Sequence, residues 1–185
     1  MDSTFDEKQW KRSKIFGILP FDYAATPIIY RYFRDLRKAG TLKYRFSDVE
    51  HPGLDTVREV ISRMHQHMYL VMSRITNKPL GEFTLEGFTG RSAQAHFSTH
   101  PDADTNTRID IGRYALSHTL TRRNKETKEF YLDSLYGLTP LKNRAACIYA
   151  LKIGYKKQGI LPSGMMYEGK PEDCQISVAS RETLR

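Results

Sequence analysis

Residues 138–159, LTPLKNRAACIYALKIGYKKQG, decide how this chain is read. A Thr-Pro step opens the stretch, helix formers and small residues run on to Ile153, and Gly154–Tyr155 leads into a basic turn. Thr139 stands where a helix cap belongs. Pro140 then occupies the first helical position, where its missing N–H would have been unpaired in any case. Ala145, Ala146 and Ala150 leave one side of the helix thin, so a neighbouring element or an extended ligand can lie close to its backbone.

Upstream, the segment Glu129 to Leu138 carries Phe130, Leu132, Leu135 and Leu138 with few interior charges, which predicts a largely buried strand. Downstream, strands are expected over Gly159 to Tyr167 and Cys174 to Ala179, around the turn EGKPED. Towards the N-terminus, Met68 to Ile75, Leu80 to Phe88 and Ser92 to Thr99 alternate as strands. TNKP and FTGR between them are hairpin turns, so the three form a meander. A helix is expected from about Arg108 to Leu120, after the polar loop PDADTNT.

Before the meander two helices are expected. Pro27 to Ala39 repeats Ile28, Ile29, Tyr32, Phe33 and Leu36 at helical spacing and closes on Gly40. Leu54 to His67 carries Leu54, Val57, Ile61, Met64 and, beyond it, Met68 as one stripe. Lys14 to Phe21 predicts a first strand that Pro20 stops. The first dozen residues read as a loose arm, with Trp10 as a possible anchor. The order is β-α-α-β-β-β-α-β-α-β-β, an α+β fold with one mixed sheet flanked by helices.

Composition bounds the rest. The chain has 185 residues, 39% hydrophobic and 27% charged, which fits a single domain over residues 1–185. Its net charge of +8 favours phosphate-bearing or acidic partners. Cys147 and Cys174 are too few for a disulfide framework, and the six histidines show no metal-ligand spacing. No stretch approaches the ~18 apolar residues of a membrane span, and MDSTFDEKQWKRSKIF lacks the apolar run of a secretory signal, so a cytoplasmic protein is expected. The basic run RYFRDLRKAGTLKYR, residues 31–45, interleaves aromatics with cations as nucleic-acid surfaces do. Its aromatics are explained by a core-facing stripe, and its cations read first as a solvated face.

The element order, together with N-x-x-A ending in K-x-G-Y, resembles the GNAT family, the GCN5-related N-acetyltransferases, over most of the chain from Lys14 to Arg181. The matching residues are Asn143, Ala146, Lys152, Gly154 and Tyr155. The resemblance implies a GNAT fold and an acetyl-CoA or related acyl-CoA cofactor whose pantetheine arm lies beside the helix of Asn143 and Ala146. It implies acetyl transfer to a primary amine of a protein or small molecule by direct attack.

The family's pyrophosphate loop, Q/R-x-x-G-x-G/A, is best matched by TRIDIG, residues 107–112. Arg108, Ile111, Gly112 and Arg113 are thereby candidates for cofactor contact. Asp110 replaces the first glycine; its carboxylate either repels a pyrophosphate or points outward near the helix start. A backbone amide at Phe97 or Ser98 is expected to polarise the thioester carbonyl. The family's proton-donor Tyr falls at Ala150 here, and Tyr149 is the nearby candidate. For the general base, strand alternation puts Gln94, His96 and Ser98 on one face of one strand and Glu82, Thr84 and Glu86 together on the preceding one. His96 or Glu82, directly or through water, is the candidate base.

The chain from Tyr131 onward is also similar to acetyltransferase-like proteins of bacteriophages, some associated with the virion. That likeness implies an alternative: an inactive, GNAT-like structural or interaction protein with a basic docking face for a phage protein or DNA.

Overall fold

The computed structural model describes residues 14–21, 25–46, 49, 51–64 and 67–184. Seven strands form one mixed sheet in the order β1-β2-β3-β4-β5-β7-β6. They are β1 Phe16–Pro20, β2 Met68–Ser73, β3 Pro79–Thr89, β4 Ser92–Thr99, β5 Ser134–Pro140, β6 Lys156–Tyr167 and β7 Lys170–Ser180. Helices α1 (Thr26–Lys38), α2 (Leu42–Arg45) and α3 (Leu54–Met64) lie between β1 and β2, α4 (Thr105–Thr121) between β4 and β5, and α5 (Arg144–Ile153) between β5 and β6. This is the expected order with one addition, the four-residue helix α2. Its LKYR sequence is too short to show a helical period.

Strands β1 to β4 form the antiparallel meander. The first hairpin turn places Asn77 at φ 53, a conformation Asn tolerates. β6 and β7 are joined through Glu168 (φ 50) and Gly169 (φ 77), a two-residue turn with both central residues left-handed, narrower than the six residues expected. Burial on both faces follows from strand alternation. On one face Phe83, Leu85, Ala93 and Leu135 pack with Ile111, Ala115, Leu116 and Leu120 of α4. On the other, Leu70 and Met68 pack with Ile29, Phe33 and Leu36 of α1 and Val57 and Ile61 of α3. Among the described residues no helix is long and apolar enough to cross a membrane.

Several boundaries differ from expectation: α4 begins at Thr105, β6 at Lys156 and β7 at Lys170, each ahead of the expected start, and β2 stops at Ser73. β5 begins at Ser134 rather than at residue 129: Phe130 instead forms an isolated bridge with Arg123 and is clasped by the guanidinium groups of Arg123 and Arg181, 3.8 and 3.9 Å from its ring. The second expected helix ends at Met64. Thr139 and Pro140 do not open α5: both belong to β5, where they pair with Gln175 and Cys174 of β7. The cap is Asn143, whose Oδ1 accepts from the Ala146 amide at 3.1 Å. Asn is as good a cap as Thr, and sheet pairing claims the residues before it. The expected arm, with Trp10, and His65 lie outside the described residues.

Candidate functional site

Among the described residues β4 and β5 are the only parallel neighbours, and they stay together for three pairs, Ser92–Ser134, Ala93–Leu135 and Gln94–Tyr136. Beyond these pairs the two strands diverge and open the sheet. His100 donates its amide to the Leu80 carbonyl at 2.7 Å. Strand alternation therefore turns the Ser98 and His96 amides towards β3 as well, and the Phe97 amide towards the opening. Of the two expected oxyanion donors, the geometry favours Phe97. The opening belongs to a cleft of about 390 Å³, lined by Ala95, His96 and Phe97 of β4, Leu138 and Thr139 of β5, and Asn143, Ala146, Tyr149 and Ala150 of α5. Its other wall includes Arg45, Arg63 and Glu86.

Facing side chains of β3 and β4 create one charged pairing, and a second joins β3 to α2. His96 sits opposite Thr84 in register, and its Nε2 hydrogen-bonds the Glu86 carboxylate across the diagonal. That bond, with the charge of His96 and of Arg45 and Arg63, holds the Glu86 carboxyl below the usual carboxylate range, against the opposing effect of partial burial. Both side chains are about a quarter to a third exposed, at 26% and 31%, so the pair is buried enough to be ordered and open enough to meet a ligand. In the tautomer that donates Nε2–H to Glu86, Nδ1 keeps a lone pair and can accept a proton.

Glu82 has a different setting. It is buried, and Arg45 grips both carboxylate oxygens, Nε to Oε2 at 2.9 Å and Nη2 to Oε1 at 3.1 Å. Ser98 donates its hydroxyl to Oε2 at 3.0 Å, and Thr84 donates to Oε1. The Tyr32 hydroxyl lies 3.0 Å from that of Ser98 and ties α1 to the same group. With this many donors on its oxygens, Glu82 is built into a closed network, and proton transfer from a substrate would require breaking it. Sequence reading missed Arg45 because the contact spans 37 residues and leaves no local periodic signal.

α5 meets α4 at Gly112, which is buried. A Cβ there would come within 2.7 Å of Ile153 Cγ2, so glycine permits the close crossing of the two helices. The Tyr149 hydroxyl donates to the Arg108 carbonyl at 3.0 Å, and burial pushes its pKa above the usual tyrosine range. Ile111 is buried and packs over Gly81. Arg113 donates from Nε to the Lys152 carbonyl at 3.1 Å, near the end of α5.

TRIDIG lies wholly inside α4 rather than in a loop before it. The segment ahead of the helix ends in Asp104, whose carboxylate accepts from the amides of Asn106 and Thr107 at 2.9 and 3.0 Å and from the Thr107 hydroxyl. Asp-x-x-Thr at this point is a legible cap signal that the glycine-pattern reading passed over. Arg108 is committed as well: Nη2 donates to the Pro101 carbonyl at 2.7 Å, and Nε is buried without a hydrogen-bond partner among the described residues.

A seven-stranded mixed sheet opened between β4 and β5, with helices on both faces, is the architecture of the GNAT acetyltransferases. No protein-family model matches the chain, and no curated protein matches it in sequence. Solved structures do match. A GNAT-family acetyltransferase from Bacillus anthracis superimposes with a TM-score of 0.67 at 15% identity, over 91% of this chain and 96% of that one. Spermidine N-acetyltransferase from Vibrio cholerae, in complex with CoA and spermine, gives 0.67 at 14% identity over 91% and 97%. Mycobacterium smegmatis RimJ, in complex with CoA-disulfide, gives 0.67 at 13% identity over 90% and 82%. At such identities the shared property is the fold.

The residues present fit one end of a CoA-type donor better than the other. The opening with the Phe97 amide, the thin Ala146–Ala150 side of α5 and the Asn143 side chain suit a thioester on a pantetheine arm, since the cap uses only the Asn143 oxygen and leaves its two N–H donors. At the other end the first α4 amides already hold a carboxylate. An anion there has to displace Asp104 or be bound elsewhere.

Proposed function

We propose that the chain is an acyl-CoA N-acyltransferase, moving an acetyl or closely related acyl group to a primary amine by direct attack. The observation that carries this reading is the His96–Glu86 pair facing the same cleft as the Phe97 amide and Asn143. In this reading His96 Nδ1 takes the proton from the attacking amine, and Glu86 orients the imidazole and stabilises its charged form. Phe97 N–H donates to the carbonyl oxygen as negative charge grows on it. The new bond joins amine nitrogen to acyl carbon as the carbon–sulfur bond breaks. Tyr149, already donating to Arg108, is poorly placed to protonate the leaving sulfur, so that proton comes from solvent. Arg108, Ile111, Gly112 and Arg113 act here through the packing of α4, and Glu82 acts through Arg45.

A thermal-unfolding titration tests the donor. Millimolar acetyl-CoA is expected to raise the midpoint, because a ligand bound to the native state stabilises it; an unchanged midpoint rejects the reading. Given a shift, release of free thiol is followed with spermine, the amine bound in the Vibrio cholerae structure, and with peptide amino termini as acceptors. His96→Ala is expected to lower turnover by about 10²-fold while leaving the midpoint shift in place.

A second reading is favoured by one observation, the Asp104 carboxylate on the α4 amides: a GNAT scaffold that has given up turnover and serves as an interaction protein, virion association included. It predicts no acetyl-CoA shift at any concentration.

A further inference from the structure

Helix α1 has two faces of opposite character. Ile29, Tyr32, Phe33 and Leu36 are buried, whereas Arg31, Arg34, Arg37 and Lys38 are exposed. At ~100° per residue the four cations and Tyr30 fall within an arc of about 120°, and a rise of ~1.5 Å per residue spreads Arg31 and Lys38 over about 10 Å. None of the four makes an ion pair with a described residue. Asp35, the sole acid of the helix, lies 3.7 Å from the His100 ring. Some cations elsewhere are matched, Arg91 and Arg181 with Asp133, Lys142 with Glu172 and Arg58 with Asp55, while the exposed Lys156 and Lys157 of β6 share the unpaired state of the α1 row among the described residues but not its neighbouring groove.

Beside this arc, Tyr30, Arg31 and Arg34 join Pro27, Ile28 and Leu54 in lining a groove of about 410 Å³. Tyr30 packs against the core beneath it. A row of cations without an ion-pair partner among the described residues, next to an aromatic ring in a partly apolar groove, can follow the phosphates of a single strand and give a base a ring to stack on. A duplex would meet the cations alone, and an acidic protein surface would leave the groove unused.

We propose that α1 is a docking face for single-stranded nucleic acid, with Arg31, Arg34 and Lys38 on successive phosphates and Tyr30 stacking a base. The face is separate from the β4/β5 cleft, so the proposal does not depend on acyl transfer.

The test is fluorescence anisotropy of a labelled oligothymidine titrated with the full chain between 50 and 300 mM NaCl. Three to four phosphate contacts to a single strand give a slope of log K against log salt of about −2 to −3. Arg31→Glu with Arg34→Glu is expected to weaken binding more than tenfold and flatten the slope. Tyr30→Leu keeps the apolar packing and removes the ring; it is expected to weaken binding by about fivefold or more at unchanged slope. Lys156→Glu with Lys157→Glu, the same charge change on β6, should leave affinity unaltered, and circular dichroism checks that each variant is folded. The proposal is overturned by absence of saturable binding at 50 mM NaCl, or by an equal loss from the β6 pair. Tighter binding of a duplex with Tyr30→Leu neutral, or equal competition by polyglutamate, also overturns it.

Discussion

At the scale of single residues, Asp104 and His118 give opposite kinds of control. Asp104 is exposed, and its carboxyl is held below the usual range by the Thr107 hydroxyl and by backbone amides. It therefore stays charged at neutral pH and presents a like charge to any anion approaching α4. Replacing it by Gly removes the charge and frees two amides at only a small capping cost. Asp104→Gly is expected to tighten CoA binding several-fold by calorimetry; an unchanged Kd would place the diphosphate away from α4. His118 is half-buried in α4, and burial, with help from Arg122, lowers its pKa. A depressed folded pKa means that the unfolded chain takes the proton first. The stabilising contribution is thus complete above the ordinary value of about 6.5 and is lost as pH falls through the lower folded value. The melting midpoint should fall between pH 7 and pH 5, and fall less in His118→Leu.

At the scale of elements, α5 separates a structural role from a ligand role within one side chain. Asn143 caps the helix through Oδ1, and its amide nitrogen is the part left for a ligand. Asn143→Asp keeps the cap and adds a favourable charge at the helix start, so stability should be retained. The same change removes both N–H donors and should weaken acyl-CoA binding. Asn143→Ala loses the cap, with an expected cost of about 1 kcal/mol in denaturant unfolding. If both variants bind the donor like the parent, Asn143 serves the helix alone. α4 shows the complementary case, since Gly112 lies where Tyr149 and Ile153 of α5 approach, a packing need that accounts for the glycine without a ligand.

At the scale of the whole molecule, charge and sheet geometry dominate. With a net charge of +8 and an α1 arc free of ion pairs among the described residues, self-repulsion opposes compactness. Raising NaCl from 50 to 500 mM is expected to raise the unfolding midpoint, because screening relieves this repulsion while the buried Arg45–Glu82 pair is little affected. A falling midpoint would mean that attractive surface pairs outweigh it. The meander, the α1 and α3 stripes and the order of elements were legible in sequence because each rests on periodicity or turn chemistry within a few residues. The hairpin strands β2, β3 and β4 and the apolar faces of α1 and α3 followed from that local code, as did the grouping of His96 with Gln94 and Ser98 along one strand and of Glu86 with Glu82 and Thr84 along the other. What only the tertiary structure decided were matters of competition between distant partners. β7 pairing drew Thr139 and Pro140 into β5 and passed the cap to Asn143; Arg45 crossed from a helix too short to show a period and engaged Glu82. Glu86 rather than Glu82 thereby became the partner of His96. Local patterns mark where helices and strands form and which face they bury, but which of two suitable groups is engaged depends on contacts that sequence spacing does not encode.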